Sequence, residues 1–332
     1  MMANDRYQWD ALLSAVKDAG SILLFSHLSP DGDTLGSALA LRLKLMEMGK
    51  QAWLVMDGNV PDNLAFLPGA GEVLKPDDAR VPQSAELALT VDISCRERLG
   101  AGEPLFARTQ RTALIDHHST NEGFAQINVI DGRAPATAVL VYRLFKALDA
   151  PITNEEAICL YTALATDTGN FIYESTNAEC FHMMGALVEA GLPLAEYSRV
   201  LFRQKERAYV ELLSRVLPSL RVSADGKVAG LRLSLEQMKA AHANNGHTDG
   251  IVDYAIDIAG VELAYFVREA EDGRVKGSLR AITPYRVDEV AMRYGGGGHR
   301  LAAGCTLDLP LDKAADTLEK ALMEALGGRE AQ

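Results

Sequence analysis

The chain has 332 residues, which is long for a single domain and sufficient for two. Its hydrophobic content of 48%, without an apolar run long enough to cross a bilayer, is typical of a soluble globular protein. The net charge of −12 at pH 7 argues against a broad grip on long nucleic acid, which needs a basic surface, but it allows a short phosphorylated substrate.

The N-terminal residues and the cysteines indicate the compartment. Met1–Asp10 contains no basic segment followed by an apolar stretch, so we expect no signal peptide. Cys95, Cys159, Cys180 and Cys305 are scattered and form no C-x-x-C pair, which is typical of small core residues in a reducing environment. We therefore expect a cytoplasmic protein.

The first half of the chain alternates strand-like apolar runs with helical patterns, which indicates βαβ units around a parallel sheet. The expected strands are Ser21–Phe25, Gln51–Met56, Glu86–Val91 and Arg111–Ile115. The expected helices are Thr34–Met48, capped by Gly49, then Asn154–Ala165, and a third that runs to Ala190 and ends at Gly191. Capping boxes begin the last two helices, formed by Thr153 with Glu156 and by Thr176 with Glu179.

The segment Leu194–Leu217 is amphipathic and contains neither glycine nor proline, so we expect one connecting helix that ends at Pro218. A homodimer through its apolar faces would explain the pattern as well as a bridge between domains does. We therefore expect a first domain over residues 1–190, a helical linker over residues 191–218 and a second domain over residues 219–332.

The second domain is expected to be smaller, with an α+β fold and a mixed sheet. Two hairpins are indicated by short turns that contain Asp-Gly between strand-like runs. The hairpin strands are Leu220–Ser223 with Lys227–Leu233, and Val261–Arg268 with Arg274–Ala281. Helical patterns occur near Leu235–His242, Thr248–Ile258, Val287–Tyr294 and Leu311–Leu326.

Acidic residues and histidines follow the expected strands of the first domain. They are His27, Asp31 and Asp33 after the first strand, Asp92 after the third, Asp116-His117-His118 at the end of the fourth, and Asp167 after a helix. The carboxyl ends of parallel strands converge on one crevice, where unpaired carboxylates would be costly. Aspartates are also common in turns and at helix N-caps, which would explain any one of these motifs alone. The whole set predicts a site for two metal ions.

The residue types indicate which metal and which chemistry. An oxygen-rich site with a few imidazoles suits Mn²⁺ or Mg²⁺ better than structural Zn²⁺. Two such ions, about 3.5–4 Å apart, can hold both the attacking and the leaving oxygen of a phosphoryl transfer. Asp116 could be a ligand or could orient a neighbouring imidazole, and we favour the second role. These residues therefore predict a metal-dependent hydrolase that acts on a phosphate ester.

The second domain contains a run of four glycines, Gly295–Gly298, followed by His299 and Arg300. Such a run lets a ligand approach the backbone closely, and its N–H groups can bind an anion. A flexible surface linker is the ordinary alternative. The small residues Ala302, Ala303 and Gly304 indicate tight packing instead, so we favour a ligand-binding role.

Taken together, these motifs resemble the DHH phosphoesterase superfamily. Asp31-Gly32-Asp33, Asp92, Asp116-His117-His118 and Asp167 match its successive motifs in order, and the glycine run with His299 is similar to its DHH-associated C-terminal domain. The resemblance covers nearly the whole chain and is strongest with the branch of nanoRNases and 3′-phosphoadenosine 5′-phosphate phosphatases. It implies a parallel-sheet DHH domain with helices on both faces, followed by the smaller α+β domain.

The resemblance also implies roles for individual residues. One metal ion would be bound by His27, Asp31 and Asp92, and the second by Asp33, Asp92, His117 and Asp167, so that Asp92 bridges the two. His118 would face the scissile phosphate, with Asp116 orienting it. In the second domain, the substrate phosphate would be bound by Arg280, Gly296, Gly297, Gly298 and His299.

The implied activity is hydrolysis of very short RNA to mononucleotides and dephosphorylation of 3′-phosphoadenosine 5′-phosphate, through a hydroxide activated by two metal ions and held at Asp92. Phe171 or Tyr173 could stack on a base, although a core position is the more common role for an aromatic residue there. Cyclic or linear dinucleotides are the alternative substrates. RecJ-like digestion of long strands is disfavoured by the acidic charge, and a non-catalytic nucleotide sensor is disfavoured by the complete set of ligands.

Overall fold

The computed structural model describes residues 3–330 and separates into two units, with the boundary between Gln204 and Lys205. The strands of the first unit are β1 (Ser21–Phe25), β2 (Gln51–Val55), β3 (Leu87–Val91), β4 (Thr112–Asp116) and β5 (Ile127–Ile130). Its α-helices are α1 (Ala3–Asp18), α2 (Gly32–Glu47), α3 (Glu103–Arg108), α4 (Thr137–Ala147), α5 (Asn154–Asp167), α6 (Ala178–Glu189) and α7 (Leu194–Ser198).

The five strands of the first unit form one parallel sheet in the order β2-β1-β3-β4-β5. The order reverses between β1 and β3, which is where ligands bind in open α/β sheets, beyond the carboxyl ends of the strands. Five of the six residues predicted to bind metal follow β1, β3 and β4, and the sixth, Asp167, ends α5. The predicted parallel sheet is confirmed, and its topology places this crevice where the predicted ligands occur.

Both faces of the sheet are covered, because alternate residues of the strands pack into two different clusters. In β1, Ile22 and Leu24 join the larger core together with helices α1, α2, α4 and α5. Leu23 and Phe25 point to the opposite face and pack with Phe106 of α3. A strand that is buried on both faces has a continuous apolar sequence, which is the pattern of Ser21–Phe25.

Helices α2 and α5 approach each other closely, and this contact brings two site residues together. A Cβ atom at Gly32 would lie 2.3 Å from the hydroxyl oxygen of Thr166, and one at Gly36 would lie 2.5 Å from the carbonyl oxygen of Cys159. Only glycine fits at these positions. The close packing brings the first turn of α2, which carries Asp33, beside the last turn of α5, which carries Asp167.

The second unit contains a separate mixed sheet. Its strands are β6 (Arg221–Val222), β7 (Val228–Leu233), β8 (Leu263–Glu269), β9 (Val275–Ala281), β10 (Gly297–His299) and β11 (Ala302–Leu307). Its α-helices are α8 (Arg207–Val216), α9 (Leu235–Ala240), α10 (Asp253–Ile256), α11 (Val287–Met292) and α12 (Leu311–Glu330). The order is β10-β11-β9-β8-β7-β6, and β7–β8 is its parallel pair. Both predicted hairpins and the mixed sheet are confirmed.

The structure corrects three local predictions. The expected single helix Leu194–Leu217 is interrupted: α7 continues as a π-helical turn over Arg199–Arg203, and residues 204–206 are not helical before α8 begins. The expected capping box of Thr176 is also wrong, because Asn177 is the N-cap of α6 and accepts hydrogen bonds from the backbone of Glu179 and Cys180. The third prediction was a helical stretch near Thr248–Ile258, and the structure has a shorter helix there, α10, which spans Asp253–Ile256.

The capping box of Thr153 with Glu156 is confirmed at the start of α5. Among residues 3–330, the structure contains no helix that is both long and apolar enough to cross a membrane.

Candidate active site

The structure brings together all six predicted metal ligands at the carboxyl edge of the first sheet. Their side chains fall into groups whose nitrogen and oxygen atoms lie within 4.8 Å of one another. One group is His27, Asp31 and Asp92; another is Asp33, His117 and Asp167; a third is Asp92, His117 and His118. Asp92 belongs to the first and third groups and His117 to the second and third, so these two residues connect the two halves of the cluster.

The three histidines of the cluster have the same hydrogen-bonding pattern at Nδ1. In each, Nδ1 contacts an acceptor outside the cluster: the carbonyl oxygen of Leu28 for His27 at 2.6 Å, that of Ala134 for His117 at 3.2 Å, and Oδ1 of Asp116 for His118 at 2.7 Å. A ring whose Nδ1–H is donated in this way presents Nε2 to a ligand, although in His27 a guanidinium nitrogen of Arg98 also lies 3.2 Å from Nε2. In His27 and His117, Nε2 lies 3.2–3.9 Å from carboxylate oxygens of the cluster.

Asp33 is held in place by the N-terminus of α4. Its Oδ2 accepts a hydrogen bond from the backbone N–H of Thr137 at 2.6 Å, and its Oδ1 accepts one from the backbone N–H of Ala138 at 3.0 Å. The hydroxyl of Ser37 donates to Oδ1 at 3.0 Å. Unpaired N–H groups at a helix N-terminus are favourable partners for a carboxylate. The position of Asp33 therefore depends on α4 as well as on its own helix.

Asp92 has an unusual backbone conformation, because its φ of 60° lies in the left-handed region. Such a conformation is costly for a residue other than glycine and is concentrated at functional positions. Its Oδ1 accepts a hydrogen bond from the hydroxyl of Thr137 at 2.8 Å, and its Oδ2 lies 3.9 Å from Nε2 of His27. Oδ1 also lies 3.7 Å from Nε2 of His117, so the two carboxylate oxygens of Asp92 approach different halves of the cluster.

Burial perturbs the acid–base properties of the cluster. Burial, followed by the negative charge of Asp167, raises the pKa of Asp33 to about 8. Burial and the charge of Asp33 likewise raise the pKa of Asp92. Burial alone would lower the pKa of His117, but its hydrogen bond with Asp167 and the charge of Asp33 outweigh this effect and raise the pKa to about 9. Burial lowers the pKa of His27.

These residues fit a pair of divalent cations. Asp33 and Asp92 are only 1% and 2% exposed, and within residues 3–330 neither forms an ion pair with a lysine or an arginine. Two buried carboxylates without a cation would be costly. Carboxylates combined with imidazole nitrogens are ligands suited to Mn²⁺ and Mg²⁺. A metal pair would remove the cost of burying these charges.

Asp116 is fully buried and contacts the cluster through His118. Its Oδ1 lies 2.7 Å from Nδ1 of His118, and its Oδ2 accepts a hydrogen bond from the amide of Asn121 at 2.6 Å. Burial would raise the pKa of Asp116, but these hydrogen bonds outweigh it and lower the pKa. Asp116 belongs to none of the three ligand groups and contacts the cluster through His118, so the geometry supports an orienting role in preference to metal binding.

Three residues of the site carry no recognisable signal in the sequence. Thr137 contacts both Asp33 and Asp92, and Asn121 contacts Asp116. Arg98 places one terminal guanidinium nitrogen 3.1 and 3.2 Å from the two ring nitrogens of His27. A threonine at a helix start and an asparagine in a loop are ordinary features, so the sequence alone does not distinguish them.

In the second unit, the strand register places two of the predicted phosphate-binding residues on one row. Ala302 of β11 pairs with Arg280 of β9 on one side and with His299 of β10 on the other. Directly paired residues have side chains on the same face, so Arg280 and His299 flank the small side chain of Ala302. Arg280 is held by an ion pair of 3.0 Å between its Nε and Oδ1 of Asp253.

The glycine run is ordered, because Gly297–His299 form an edge strand of the sheet. A Cβ atom at Gly296 would lie 2.0 Å from the carbonyl oxygen of Gly304, and one at Gly298 would lie 2.6 Å from that of Ala302. At Gly297, by contrast, a Cβ atom would meet nothing within 4 Å. Packing against β11 therefore requires glycine at 296 and 298, whereas the fold itself does not explain the glycine at 297.

Comparison with known proteins identifies the family. Residues 21–164 match the DHH family, N-terminal domain, and residues 225–326 match the DHHA1 domain. The bifunctional oligoribonuclease and PAP phosphatase NrnA of Thermus thermophilus is 33% identical, over 95% of this chain and 92% of that protein. The protein of the same name from Bacillus subtilis is 23% identical, over 89% of this chain and 92% of its own length.

Among solved structures, an exopolyphosphatase-related protein from Bacteroides fragilis has the same fold, with a TM-score of 0.89 and 27% sequence identity over 96% of each chain. The family resemblance that the sequence motifs indicated is thus confirmed. This chain belongs to the DHH family and carries a DHHA1 domain in its second unit.

Proposed function

We propose that this protein hydrolyses very short RNA oligonucleotides to mononucleotides and dephosphorylates 3′-phosphoadenosine 5′-phosphate. The observation that carries the proposal is the cluster of six ligands at the sheet edge, with the strained Asp92 between its two halves. The likeness to an oligoribonuclease and PAP phosphatase over nearly the full length of both chains supports the choice of substrates.

We further propose that the cluster binds two divalent ions, with Mn²⁺ preferred. His27, Asp31 and Asp92 would hold one ion, and Asp33, Asp92, His117 and Asp167 the other. When bound, the ions would neutralise the charge that develops on the phosphoryl group and would make a water molecule acidic enough to react near neutral pH. The remaining steps depend on side chains of this chain.

His118 is assigned to the scissile phosphate. Its Nδ1 is engaged by Asp116, so its Nε2 is the ring edge that remains for the phosphate or the leaving oxygen. Asn121 and Asp116 fix the orientation of the ring, so less conformational entropy is lost when the reactive geometry forms. Arg280, His299 and the backbone of Gly296, Gly297 and Gly298 are assigned to binding of a substrate phosphate.

The compartment and the range of partners follow from the same reasoning. All four cysteines are free thiols, which supports action in a reducing cytoplasm. The net charge of −12 supports short oligonucleotides and nucleotide phosphates as substrates, in preference to long duplexes. A homodimer is compatible with the proposal and is not required by it.

The test is product analysis in Mn²⁺ on a labelled RNA series that extends from the dinucleotide to much longer oligomers. 3′-Phosphoadenosine 5′-phosphate and c-di-AMP are assayed alongside, and the Asp92→Ala protein serves as the control for contaminating nucleases. Fast release of mononucleotides from the shortest RNAs, and of phosphate from the bisphosphate, is expected. Turnover confined to c-di-AMP or to long strands would contradict the proposal.

A further inference from the structure

The turn that follows Asp167 has an unusual backbone. Gly169, Asn170 and Phe171 are three consecutive residues with positive φ, at 55°, 57° and 71°. Glycine adopts this conformation at no cost, and asparagine at little cost, but it is a genuine outlier for phenylalanine. Strain of this kind persists only where the surroundings enforce it, and it is concentrated at ligand-binding positions.

Contacts on both sides of the turn enforce the strain. The carbonyl oxygen of the buried Thr168 accepts hydrogen bonds from the backbone N–H groups of Ile172 and Tyr173, each at 3.1 Å. The hydroxyl oxygen of Thr168 accepts a further bond from the N–H of Phe171 at 3.2 Å. The ring of Phe171 packs on Phe181 of α6, with 5.6 Å between the ring centroids. Phe171 is therefore an anchor of the turn and belongs partly to the core.

The anchored turn exposes the two large side chains that follow it. Ile172 is 82% exposed and Tyr173 is 57% exposed, although both are large and mainly apolar. One side of the Tyr173 ring rests on the backbone of Gly169, since a Cβ atom there would lie 2.4 Å from ring carbons. The remaining surface of the ring is open. The strained turn thus presents an exposed aromatic ring that rests on Gly169, and packing of the core does not explain this exposure.

The position of this surface indicates its ligand. Tyr173 follows Asp167 by six residues, within one compact turn, and Asp167 lies 3.2 Å from Nε2 of His117 in the metal cluster. A base is joined to its phosphate through a single sugar, so a nucleotide with its phosphate at the cluster has a base close by. Stacking on aromatic side chains is a sequence-tolerant way to bind bases, because every base has a flat π-face.

We propose that Tyr173 is the stacking surface for a nucleobase of the substrate and that it makes the metal centre selective for nucleotides over other phosphate esters. This inference rests on the proposed function. Phe171, whose ring is engaged by Phe181, supports the turn and does not contact the base.

The test compares Tyr173→Ala, Tyr173→Leu and Tyr173→Phe with the unchanged protein. Each is assayed on a 5′-phosphorylated diadenylate and on two analogues in which one or the other base is replaced by hydrogen. Met46→Ala is the matched control, because Met46 is an exposed apolar residue at the opposite end of α2 from Asp33. Tyr173→Leu still covers Gly169 with an apolar side chain, so it serves if the alanine variant does not fold.

Loss of the ring is expected to lower kcat/KM on diadenylate by roughly tenfold to a hundredfold, mainly through KM. The same substitution should leave kcat/KM unchanged on the analogue that lacks the stacked base, because that base is the only group the ring is proposed to contact. Tyr173→Phe and Met46→Ala should behave like the unchanged protein. The inference is overturned if the ring variants lose activity equally on diadenylate and both analogues, or lose none on any of them.

These outcomes are distinct from failure of the proposed function. If the unchanged protein hydrolyses no nucleotide, both ideas are wrong. If it hydrolyses diadenylate and the abasic analogues at equal rates, the phosphoesterase activity stands and the stacking role of Tyr173 is rejected. Metal titration of each variant verifies that the cluster, which includes the nearby Asp167, is intact.

Discussion

The hydroxyl of Thr137 donates a hydrogen bond to Oδ1 of Asp92 across 2.8 Å, while the backbone N–H of the same residue donates to Oδ2 of Asp33 across 2.6 Å. One residue at the start of α4 therefore contacts two carboxylates, one that directly follows β3 and one in the first turn of α2. Thr137 is fully buried, so water does not compete for these bonds. Thr137 thus determines how the two halves of the metal cluster meet at Asp92.

Thr137→Val should weaken metal binding by roughly tenfold to a hundredfold, because it removes a group that orients a ligand and keeps the size of the side chain. Thr162→Val is the matched control: Thr162 is also fully buried, but its hydroxyl donates to Ile158 within α5. Mn²⁺ titration by calorimetry measures both variants. Equal affinities for the two variants would show that Thr137 does not orient the site.

The sequence predicted the positions of the strands and the convergence of the six proposed ligands, but it did not predict the residues that hold these ligands in place. A short continuous apolar run such as Ser21–Phe25 is typical of a strand that is buried on both faces. Residues that directly follow parallel strands lie together at one edge of the sheet. Thr137 gave no such signal, because its role depends on the packing of α4 against two other elements. The same holds for Asn121, which lies beside Asp116 only through the path of its loop.

The errors along the chain have a similar origin. Residues 204–206 contain no glycine or proline, so nothing local distinguishes the break before α8 from a continuous helix. The break coincides with the boundary between the two units, which is a property of tertiary structure. Thr176 was predicted as a cap, whereas Asn177 next to it occupies that position, and both residue types are good N-caps.

Asp92→Asn should abolish turnover while leaving the protein folded. The amide keeps the size of the side chain and can still accept the hydrogen bond from Thr137, but it removes the charge that lies between His27 and His117. We expect a decrease of at least about a thousandfold in kcat, since the residue acts on both proposed metal positions. Single-turnover assays with a labelled dinucleotide measure this. Activity near that of the unchanged protein would exclude Asp92 as the shared ligand.

Metal binding should be strongly dependent on pH. In the metal-free protein the pKa of Asp33 is raised to about 8 and that of His117 to about 9, so both groups carry protons near neutral pH. A metal ion binds the deprotonated forms and must release these protons. The apparent affinity for Mn²⁺ should therefore rise between pH 6 and pH 8, by about tenfold per pH unit for each proton released.

The stability of the metal-free protein should change in the opposite direction. The folded-state pKa values of Asp33 and His117 are both raised above their unfolded values. The two protonated side chains therefore stabilise the fold at low pH, and this stabilisation is lost as the pH rises towards about 8 and 9. The increase in Tm on adding Mn²⁺ should accordingly be larger at pH 8 than at pH 6. Thermal unfolding with and without a chelator tests this, and an increase that is independent of pH would contradict the assigned titrations.

The glycine run offers two substitutions with opposite consequences. Gly296→Ala places a Cβ atom 2.0 Å from the carbonyl oxygen of Gly304, so β10 and β11 must separate, and we expect a loss of about 1–3 kcal/mol in the free energy of unfolding. Gly297→Ala meets no atom within 4 Å, so the stability should be preserved. The new methyl group would lie on the same face of β10 as His299, two residues along the strand.

If that face binds the substrate phosphate, Gly297→Ala should raise KM by about tenfold or more, because it hinders hydrogen bonds to a charged ligand. Thermal unfolding and steady-state kinetics on a dinucleotide, measured side by side, separate the two effects. A stable Gly297→Ala protein with an unchanged KM would show that the glycine run serves only the packing of β10 against β11. A stable, weakly binding Gly297→Ala protein would show that the open position at 297 is kept for the substrate.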